Sequence, residues 1–358
     1  MNMKKKIAVG LSGGIDSSFA AYILHKKGYD VAGFTLKFYP EDNRCCDLDS
    51  LHQAKRLCHK LGIPHYVLDV NDIFDKQIVN YFVDSYLKGL TPNPCSYCNR
   101  YLKFGYLLQK IKSLGFDFLA TGHYARIAKR KGEFFLKQAK DKFKSQEYFL
   151  ALIEPTVLKH LVFPVGDYTK LEVKKIAQKE QLMFKERKES QDICFVKEKP
   201  YHKFIESNSK CSNAFIGKIR HIDGTVLGEH KGIYYFTYGQ RSGLGISWKE
   251  PLYVVGIDEK DNTVLVGEKK CLYKKYFTVS SLNWFTDIKK FLKNNQKQNN
   301  LGVKIRYNSD FYKCHIDFDK EKVSVELLDA AYAITPGQIA VFYNKDVVLG
   351  AGVIDKYK

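Results

Sequence analysis

Three cysteines lie in stretches whose residue types could do chemistry. Cys95 and Cys98 stand three positions apart in TPNPCSYCNR, and Cys194 lies in SQDICF. A C-x-x-C pair can be half of a zinc site, a redox pair, a pair of cluster ligands, or one nucleophile beside an inert thiol. The local sequence leaves these four chemistries open. We interpret the other six of the nine cysteines as small buried apolar residues: Cys45, Cys46, Cys58, Cys211, Cys271 and Cys314.

A glycine-rich stretch near the N-terminus, GLSGGIDS from Gly10 to Ser17, is suited to binding an anion. It follows an apolar run and opens a helical segment, where backbone N–H groups point at a phosphate. Ser12 and Ser17 add hydroxyl donors, and Asp16 is placed to act on a metal or to orient the loop. The G-K-[ST] ending of a Walker A motif is absent. The alternative is a glycine turn capped by serines.

This stretch resembles the PP-loop of the ATP pyrophosphatases, which carries S-G-G-x-D-S after an N-terminal strand. That resemblance implies cleavage of ATP between its α and β phosphates, with adenylation of a substrate oxygen. The oxygen then becomes a leaving group.

The elements that position these residues fall into two patterns. In the first, apolar strands at residues 7–11, 31–36, 65–69 and 118–122 alternate with helical segments, which predicts a parallel sheet covered on both faces. Beyond about residue 205 the runs are short, β-branched and aromatic, which is typical of a small barrel. The strands predicted there are 233–238, 252–257, 263–266, 303–307, 323–327 and 339–343, with a polar loop at 294–300.

The composition favours a polyanionic partner. Of 358 residues, 58 are basic and 39 acidic, which gives a net charge of +19. Such a bias suits nucleic acid, although lysines that merely solvate the surface would produce it too. No apolar run approaches the roughly 18 residues that span a bilayer, and the N-terminus lacks a cleavage site after its apolar stretch. We therefore expect a cytoplasmic chain without a membrane anchor, whose cysteines are thiols.

Further motifs narrow the resemblance to one family. In chain order they are TPNPCSYCNR at 91–100 followed by Lys103-Phe104, ATGHYAR at 120–126, SQDICF at 190–195, YGQRSGLG at 238–245 and TPGQ at 335–338. On these motifs the chain is identified as a member of the tRNA-specific 2-thiouridylases, within the PP-loop ATP pyrophosphatase superfamily. The resemblance implies an α/β fold with an N-terminal parallel-sheet PP-loop domain of the adenine nucleotide alpha hydrolase type at 1–205. A small, mostly-β central domain at 206–272 and a C-terminal tRNA-contacting β-barrel at 273–358 would follow.

The activity that the resemblance implies is ATP-dependent exchange of oxygen for sulfur at carbon 2 of the wobble uridine (position 34) of tRNA. The base oxygen is adenylated, a cysteine persulfide attacks, and AMP and pyrophosphate leave. ATP with Mg²⁺, a tRNA, and a sulfur-carrier or cysteine desulfurase-type persulfide donor would be required, and we expect a monomer. The residues agree with this chemistry. The exchange needs an activated oxygen and a sulfur nucleophile, and the phosphate loop and the cysteines can supply these two halves.

Carried over by position, Cys194 matches the cysteine that holds the persulfide. Cys98 matches its partner thiol, which releases the sulfur or closes a disulfide with Cys194. Cys95 stands where relatives carry aspartate, in the segment that meets the target base. Three converging thiols could alternatively ligate an iron–sulfur cluster, which we favour less, and no second motif completes a zinc site.

The resemblance implies two further groups of residues. Leu36 stands where methionine is common in the family. Ser145 stands where aspartate is usual, at a position expected to contact the tRNA, and this departure weakens that contact. Residues expected to bind ATP are Gly10, Leu11, Ser12, Gly13, Gly14, Ile15, Asp16, Ser17, Leu36 and Gly122. Residues expected to contact the target base or the tRNA are Asn93, Pro94, Cys95, His123, Lys144, Ser145, Gln146, Arg306, Tyr307 and Gln338.

Two rival functions remain at this point. Another PP-loop enzyme could act on a small molecule, but such ligases lack the cysteine pair and the C-terminal barrel. A non-catalytic RNA-binding protein could use the phosphate loop only to grip RNA, against which Asp16 and the intact thiol pair argue. The target base must leave its stack to react, so we expect it to be flipped into a pocket of the first domain.

Overall fold

The computed structural model describes residues 4–38, 48–182, 193–196, 200–209, 216–294 and 301–356. The chain forms two compact units, each built from discontinuous stretches. The first comprises Met1–Ile78, Cys95–Lys197 and Asp346–Leu349, and the second comprises Val79–Pro94, Glu198–Lys345 and Gly350–Lys358. Within the described residues the α-helices, α1 to α10 in chain order, are Ile15–Lys26, Leu48–Leu61, Asn71–Phe74, Asn80–Leu87, Pro94–Tyr97, Leu108–Ser113, Glu147–Leu150, Lys170–Lys179, Tyr201–Asn208 and Ile288–Asn294.

The first unit is built on a parallel sheet of five strands. The strands β1 to β7 are Lys6–Gly10, Asp30–Lys37, His65–Asp69, Phe118–Thr121, Ala125–Arg130, Glu133–Gln138 and Leu161–Val162. Five of them pair in the order β3-β2-β1-β4-β7, while β5 and β6 form an antiparallel hairpin. Burial explains the continuous apolar strand sequences, since Ile7, Ala8 and Val9 of β1 are at most 2% exposed. Helix α1 buries Phe19 and Leu24 in the same core and ends just before Gly28, whose φ is +80°.

Strand order in this sheet locates its binding edge. Strand β2 lies on one side of β1 and β4 on the other, and Gly10 at the end of β1 is in register with Phe34 and Thr121. The connections therefore diverge from β1, and the loops that follow β1 and β4 meet at the carboxyl edge of the sheet. In open α/β sheets this is where ligands bind.

Two further β structures lie in the second unit, apart from the first residues of their last strand, which belong to the first unit. Strands β8 to β11 are Gly217–His221, Val226–His230, Leu252–Asp258 and Thr263–Glu268, and they pair in the order β10-β11-β8-β9. Strands β12 to β17 are Tyr273–Trp284, Leu301–Lys304, Tyr312–Asp319, Lys322–Tyr332, Ile339–Asn344 and Val347–Ile354. They follow the order β12-β15-β14-β13-β16-β17, and pairing of β12 with β17 closes them into a barrel. The predicted fold class is confirmed.

Two predicted strands are wrong in detail. Residues 233–238 do not form a strand, because Ile233–Tyr235 is a 3₁₀ turn that buries Ile233 and Phe236, three positions apart, in the core of the β8–β11 sheet. The strand predicted at 303–307 already ends at Lys304, where Ser309 N–H bonds to the Arg306 carbonyl at 3.1 Å and begins a turn. Of the loop predicted at 294–300, residues 295–300 lie outside the described part of the chain.

No helix in the described residues is long and apolar enough to cross a membrane.

Candidate active site

The phosphate loop folds back on itself at the carboxyl end of β1. Ser17 Oγ donates to the Gly14 carbonyl at 2.9 Å and accepts from Ser12 N–H at 3.2 Å. Gly13 has φ +71°, and a Cβ there would lie 2.5 Å from the Ser50 carbonyl oxygen. The N-cap residue of α1 is Gly14, which has no side chain. No capping side chain therefore bonds to the first N–H groups of the helix. The predicted loop therefore has the shape and the polarity of an anion site.

Gly122 is required by the close approach of this loop. A Cβ at Gly122 would lie 2.5 Å from the backbone nitrogen of Ser17 and 2.6 Å from the carbonyl carbon of Asp16. The residue predicted to lie beside the nucleotide thus packs directly on the loop that is predicted to hold it. Leu36, predicted to contact the nucleotide, lies in β2 with 8% exposure, in register with Leu68 of β3.

Asp16 is held by two side chains that are distant in sequence. Lys170 Nζ lies 2.8 and 2.7 Å from the two Asp16 carboxylate oxygens, and the Tyr124 hydroxyl donates to Oδ1 at 2.8 Å. Lys170 is only 8% exposed, and its ammonium also lies 5.7 Å from the centre of the Tyr124 ring. Of the two roles predicted for Asp16, orienting the loop fits this geometry, because both carboxylate oxygens already bond to a cation.

Sequence reasoning missed Lys170, although a signal was present. Thr169 and Glu172 form a capping box at the start of α8, which puts Lys170 at the first helical position. A cation is unfavourable there, because the helix dipole is positive at the N-terminus. The half-buried Asp16 carboxylate offsets that repulsion.

The predicted C-x-x-C segment forms the short helix α5 and continues into a π-helical stretch, Cys98–Leu107. Asn99 Nδ2 donates to the Phe149 carbonyl at 3.0 Å, and Arg100 pairs with Glu154 at 2.5 Å. These contacts hold the helix against neighbouring segments, and Arg100 is paired with a carboxylate. The other cations predicted near the thiols, Arg187 and Lys188, lie outside the described residues.

Lys103 is the cation of this segment whose charge affects the pKa of Cys95. Desolvation raises the pKa of the Cys95 thiol to about 11, the neighbouring Cys194 raises it as well, and Lys103 opposes both effects. Cys95 is nevertheless solvent-exposed. The electrostatic influence of Cys194 shows that the structure brings it close to the C-x-x-C segment, across almost a hundred residues of sequence.

Cys194 is positioned by the residue that follows it. Phe195 is 3% exposed and packs edge-on against Phe74 at 5.5 Å, while Cys194 itself is half-buried. Cys98 is half-buried too, and both are thiols in this structure, so the disulfide between them stays a prediction.

The cysteines outside the site were predicted to be buried. Cys58 and Cys314 are buried as predicted, and burial raises their pKa to about 11 and about 12. Cys271 is half-buried, and Cys45, Cys46 and Cys211 lie outside the described residues.

The thiols do not form a ready-made cluster site. In the stretches that the structure describes, no three His, Cys, Asp or Glu side chains converge in a way that could hold a metal ion. An iron–sulfur cluster stays the less favoured prediction for Cys95, Cys98 and Cys194, and we derive no step through one.

His123 is a neutral aromatic residue at the edge of the sheet. Burial, and then the charge of Lys103, lowers its pKa well below the ordinary value of 6.5. Its Nδ1 lies 2.8 Å from Thr121 Oγ1, and its ring contacts Phe104 and Phe163. His123 can therefore stack or hydrogen-bond with a base but does not offer a positive charge to phosphate.

The residues of the Lys144–Gln146 triplet differ in their surroundings. Ser145 is 5% exposed, accepts from Ala139 N–H at 2.8 Å and donates to the Glu147 carboxylate. Gln146 Oε1 accepts from Tyr124 N–H at 2.9 Å. Ser145 and Gln146 thus build the loop beside Tyr124, and Lys144 is half-buried.

Predicted tRNA contacts in the second unit are engaged with backbone. Arg306 Nη2 donates to the carbonyls of Tyr332 and Ala333, and Tyr307 follows it in a turn. Gln338 Nε2 donates to the carbonyls of Thr91 and Pro92 at 3.0 and 3.3 Å.

The TPGQ motif therefore holds the segment that leads to Asn93 and Pro94. Thr91 N–H donates to the Pro336 carbonyl at 2.9 Å. Gly337 has φ +91°, and a Cβ there would lie 2.9 Å from Thr91 N. Asn93 is 8% exposed, and Pro94 is buried at the start of α5.

Comparison with known proteins assigns the chain to a family. Three family models match consecutive parts of it: a tRNA methyl transferase HUP domain at residues 5–198, a tRNA methyl transferase PRC-barrel domain at 203–268 and an aminomethyltransferase beta-barrel domain at 274–354. Among solved structures, a 4-thiouridine synthetase–RNA complex with bound ATP is 17% identical over 58% of this chain and 51% of that chain, with a TM-score of 0.37. The U34-tRNA thiolase NcsA from Methanococcus maripaludis with its [4Fe-4S] cluster is 19% identical over 58% and 67%, with a TM-score of 0.36. Similarities this low carry no argument about the site.

Full-length relatives are much closer. The tRNA-specific 2-thiouridylase MnmA 2 of Thermoanaerobacter sp. (strain X514) is 42% identical over 367 residues, 99% of each chain. The tRNA-specific 2-thiouridylase MnmA of Acetivibrio thermocellus is 41% identical over 362 residues, 98% of this chain and 99% of that one. Identity at this level along nearly the whole of both chains confirms the family that the motifs predicted: this chain belongs to the tRNA-specific 2-thiouridylases.

Proposed function

We propose that this chain catalyses ATP-dependent 2-thiolation of the wobble uridine (position 34) of tRNA. The observation that carries the proposal is that one unit contains both halves of the chemistry. A phosphate loop lies at the carboxyl edge of its sheet, and Cys194 lies within electrostatic reach of the C-x-x-C segment. The names of the full-length relatives support the same activity.

The first half-reaction is activation of the base. The loop from Gly10 to Ser17 holds the phosphates of ATP, with Gly122 packed beneath it and Leu36 beside the nucleotide. Uridine O2 attacks the α-phosphorus and pyrophosphate leaves, which makes the oxygen part of an AMP leaving group. Lys170 and Tyr124 keep Asp16, and with it the loop, in place. Mg²⁺ would neutralise charge on the phosphates of ATP, and because both Asp16 oxygens bond to Lys170, Asp16 would orient the loop and not hold the metal.

The second half-reaction is sulfur transfer. The terminal sulfur of a Cys194 persulfide attacks carbon 2 of the uridine, and AMP departs with the former base oxygen. The Cys98 thiolate then attacks the Cys194 sulfur. The bond between that sulfur and the sulfur on the base breaks, its electron pair stays with the base, and 2-thiouridine is released. A Cys98–Cys194 disulfide remains, which an external thiol must reduce. Alternatively, Cys98 releases the persulfide sulfur as hydrogen sulfide, which then attacks carbon 2.

Residues outside the two half-reactions bind the RNA. We propose that Asn93, Pro94, Cys95 and His123 are contacts of the target base, with His123 as a neutral ring. Lys144, Ser145, Gln146, Arg306, Tyr307 and Gln338 remain proposed tRNA contacts, and for Ser145, Gln146 and Gln338 the bonds described above supply a structural role as well.

We also propose three domains, at 1–205, 206–272 and 273–358, which the ranges of the three family matches support. The enzyme would act as a cytoplasmic monomer supplied by a sulfur-carrier or cysteine desulfurase-type donor.

Mass spectrometry of the RNA tests the function. Purified chain is incubated with tRNA, ATP and a persulfide donor, and the digested nucleosides are analysed together with AMP and pyrophosphate. We expect 2-thiouridine at position 34, formed in equal amounts with both products. Two of the matching family models carry a methyl transferase name, and a methylated base, which differs in mass, would contradict the proposal.

A further inference from the structure

One apolar side chain of the first unit is almost fully exposed beside the candidate active site. Phe143 is 96% exposed, whereas the next most exposed large apolar residue among those described, Ile216, is 69% exposed. Scattered exposed apolar residues need no explanation in themselves. The surroundings of Phe143 supply one.

The loop that carries Phe143, residues 139–146, is held in place at both ends. Asp141 Oδ2 accepts from Lys170 N–H at 3.0 Å, and Lys144 N–H bonds to the Asp141 carbonyl at 3.3 Å. Ala139 and Gln146 are fixed through the bonds to Ser145 and Tyr124 described above. The exposure of Phe143 is therefore imposed by an ordered loop.

The same contacts place this loop next to the phosphate loop. Lys170 bonds to Asp141 through its backbone and to Asp16 through its ammonium. Tyr124 bonds to Gln146 through its backbone and to Asp16 through its hydroxyl. Two residues thus bridge the loop of Phe143 and the loop proposed to hold ATP.

Two lysines flank Phe143 in the sequence. Lys142 on one side is exposed and Lys144 on the other is half-buried, while the nearby Asp141 carboxylate is occupied by the backbone of α8. The whole chain carries a net charge of +19. An aromatic ring between cations is the arrangement with which proteins hold single-stranded nucleic acid, because a base stacks on the ring and phosphates lie against the charges.

Resting on the proposed function, we propose that Phe143 stacks on an unpaired base of the anticodon loop that neighbours the target uridine. Stacking at this point clamps the RNA chain beside the flipped base. Phe143 is then a positioning residue, and Lys142 supplies a phosphate contact to the same stretch of RNA.

The test measures binding of the full chain to an anticodon stem-loop RNA at several salt concentrations. Phe143→Ala is expected to weaken binding roughly 5- to 150-fold, the range for loss of one base–aromatic stack. Phe143→Trp should bind at least as tightly as wild type, and Phe143→Leu should show most of the alanine loss, because it keeps apolar area without a ring. The dependence of log K on log salt should be unchanged in Phe143→Ala and shallower in Lys142→Ala.

Tyr29→Ala is the matched control. Tyr29 is also an exposed aromatic residue, at 37%, but it precedes β2 and so lies at the opposite, amino edge of the sheet. Its removal should leave RNA affinity unchanged. Because Phe143 is so exposed, the thermal unfolding midpoint of Phe143→Ala should equal that of wild type.

Several results would overturn the proposal. Wild-type affinity of Phe143→Ala, or full affinity of Phe143→Leu, would show that no base stacks on the ring. Unchanged RNA affinity with a defect that only higher donor concentration relieves would assign the ring to the sulfur-donor protein. Failure of wild-type chain to thiolate tRNA would instead contradict the proposed function, which the binding series does not measure.

Discussion

Lys103 acts on two neighbours at once. Desolvation raises the pKa of Cys95 and lowers that of His123, and the Lys103 ammonium lowers both. At neutral pH this leaves Cys95 as a thiol and His123 as a neutral ring. Neither residue is then a charged participant in catalysis, which fits a role for both in lining the base pocket.

Cysteine substitutions separate the three thiols. Cys194→Ser is expected to abolish 2-thiouridine because no thiolate carries the sulfur, and Cys98→Ser because nothing resolves the persulfide. Cys95→Ser should keep much of the activity, since a short polar side chain preserves the pocket. Complete inactivity of iron-free Cys95→Ser beside an iron-dependent wild type would contradict this mechanism in favour of a cluster.

The pKa of Cys95 predicts its reactivity. A value raised from 9.0 to about 11 means that the thiol stays protonated at pH 8 and ionises as the pH rises through about 11. Alkylation of Cys95 by iodoacetamide should therefore become faster as the pH rises from 8 through about 11. Peptide mass spectrometry measures its rate. Lys103→Met should slow alkylation at any given pH, because the cation that favours the thiolate is gone. Equal rates in the two proteins would contradict the electrostatic role of Lys103.

At the scale of elements, helix α8 is joined to the phosphate loop by the ion pair between the buried Lys170 and the half-buried Asp16. Lys170→Met is expected to lower the free energy of unfolding by about 1–3 kcal/mol, since a hydrogen-bonded charge loses its partner. ATP affinity measured by calorimetry should fall as well. Lys140→Met is the matched control, because the Lys140–Glu172 pair is about half exposed and is expected to contribute little to stability. Equal effects of the two substitutions in urea denaturation would contradict this assignment.

The turn before β16 positions the segment that leads to the C-x-x-C pair. The side-chain amide of Gln338 donates to the carbonyls of Thr91 and Pro92. Gln338→Ala should therefore lower the rate of thiolation at saturating tRNA, in addition to weakening tRNA binding. Rapid-quench kinetics and filter binding distinguish the cases, and a loss of affinity with an unchanged rate would make Gln338 an RNA contact alone.

At the scale of the whole molecule, the excess of positive charge governs encounter with RNA. Binding of tRNA should weaken steeply with salt, because each neutralised phosphate adds about 0.7–0.9 to the slope of log K against log salt. Arg306→Ala should reduce that slope by about one. It should also loosen the end of β15, whose last carbonyl Arg306 binds. An affinity independent of salt would mean that the +19 charge only solvates the surface.

Local signals in the sequence determined the strands of the parallel sheet, the phosphate loop and the family. Each of these depends on neighbours in the chain: continuous apolar runs mark strands buried on both faces, and glycines mark positions with positive φ or close backbone approach. Gly13 and Gly122 are such positions. The predicted strand at 233–238 was wrong because aromatic and β-branched residues also suit a turn that buries every third side chain.

Only the tertiary structure decided which distant residues meet. Lys170 reaches Asp16 across 154 positions, and Gln338 reaches Thr91 across 247. Cys194 comes within reach of Cys95, and Ser145 turns inward to Ala139 and Glu147. A residue's type and its local spacing do not encode its long-range partner, because that partner is set by how strands order within a sheet and how loops pack on its edge. The same packing leaves Phe143 in solvent, which no property of its neighbours in the sequence predicts.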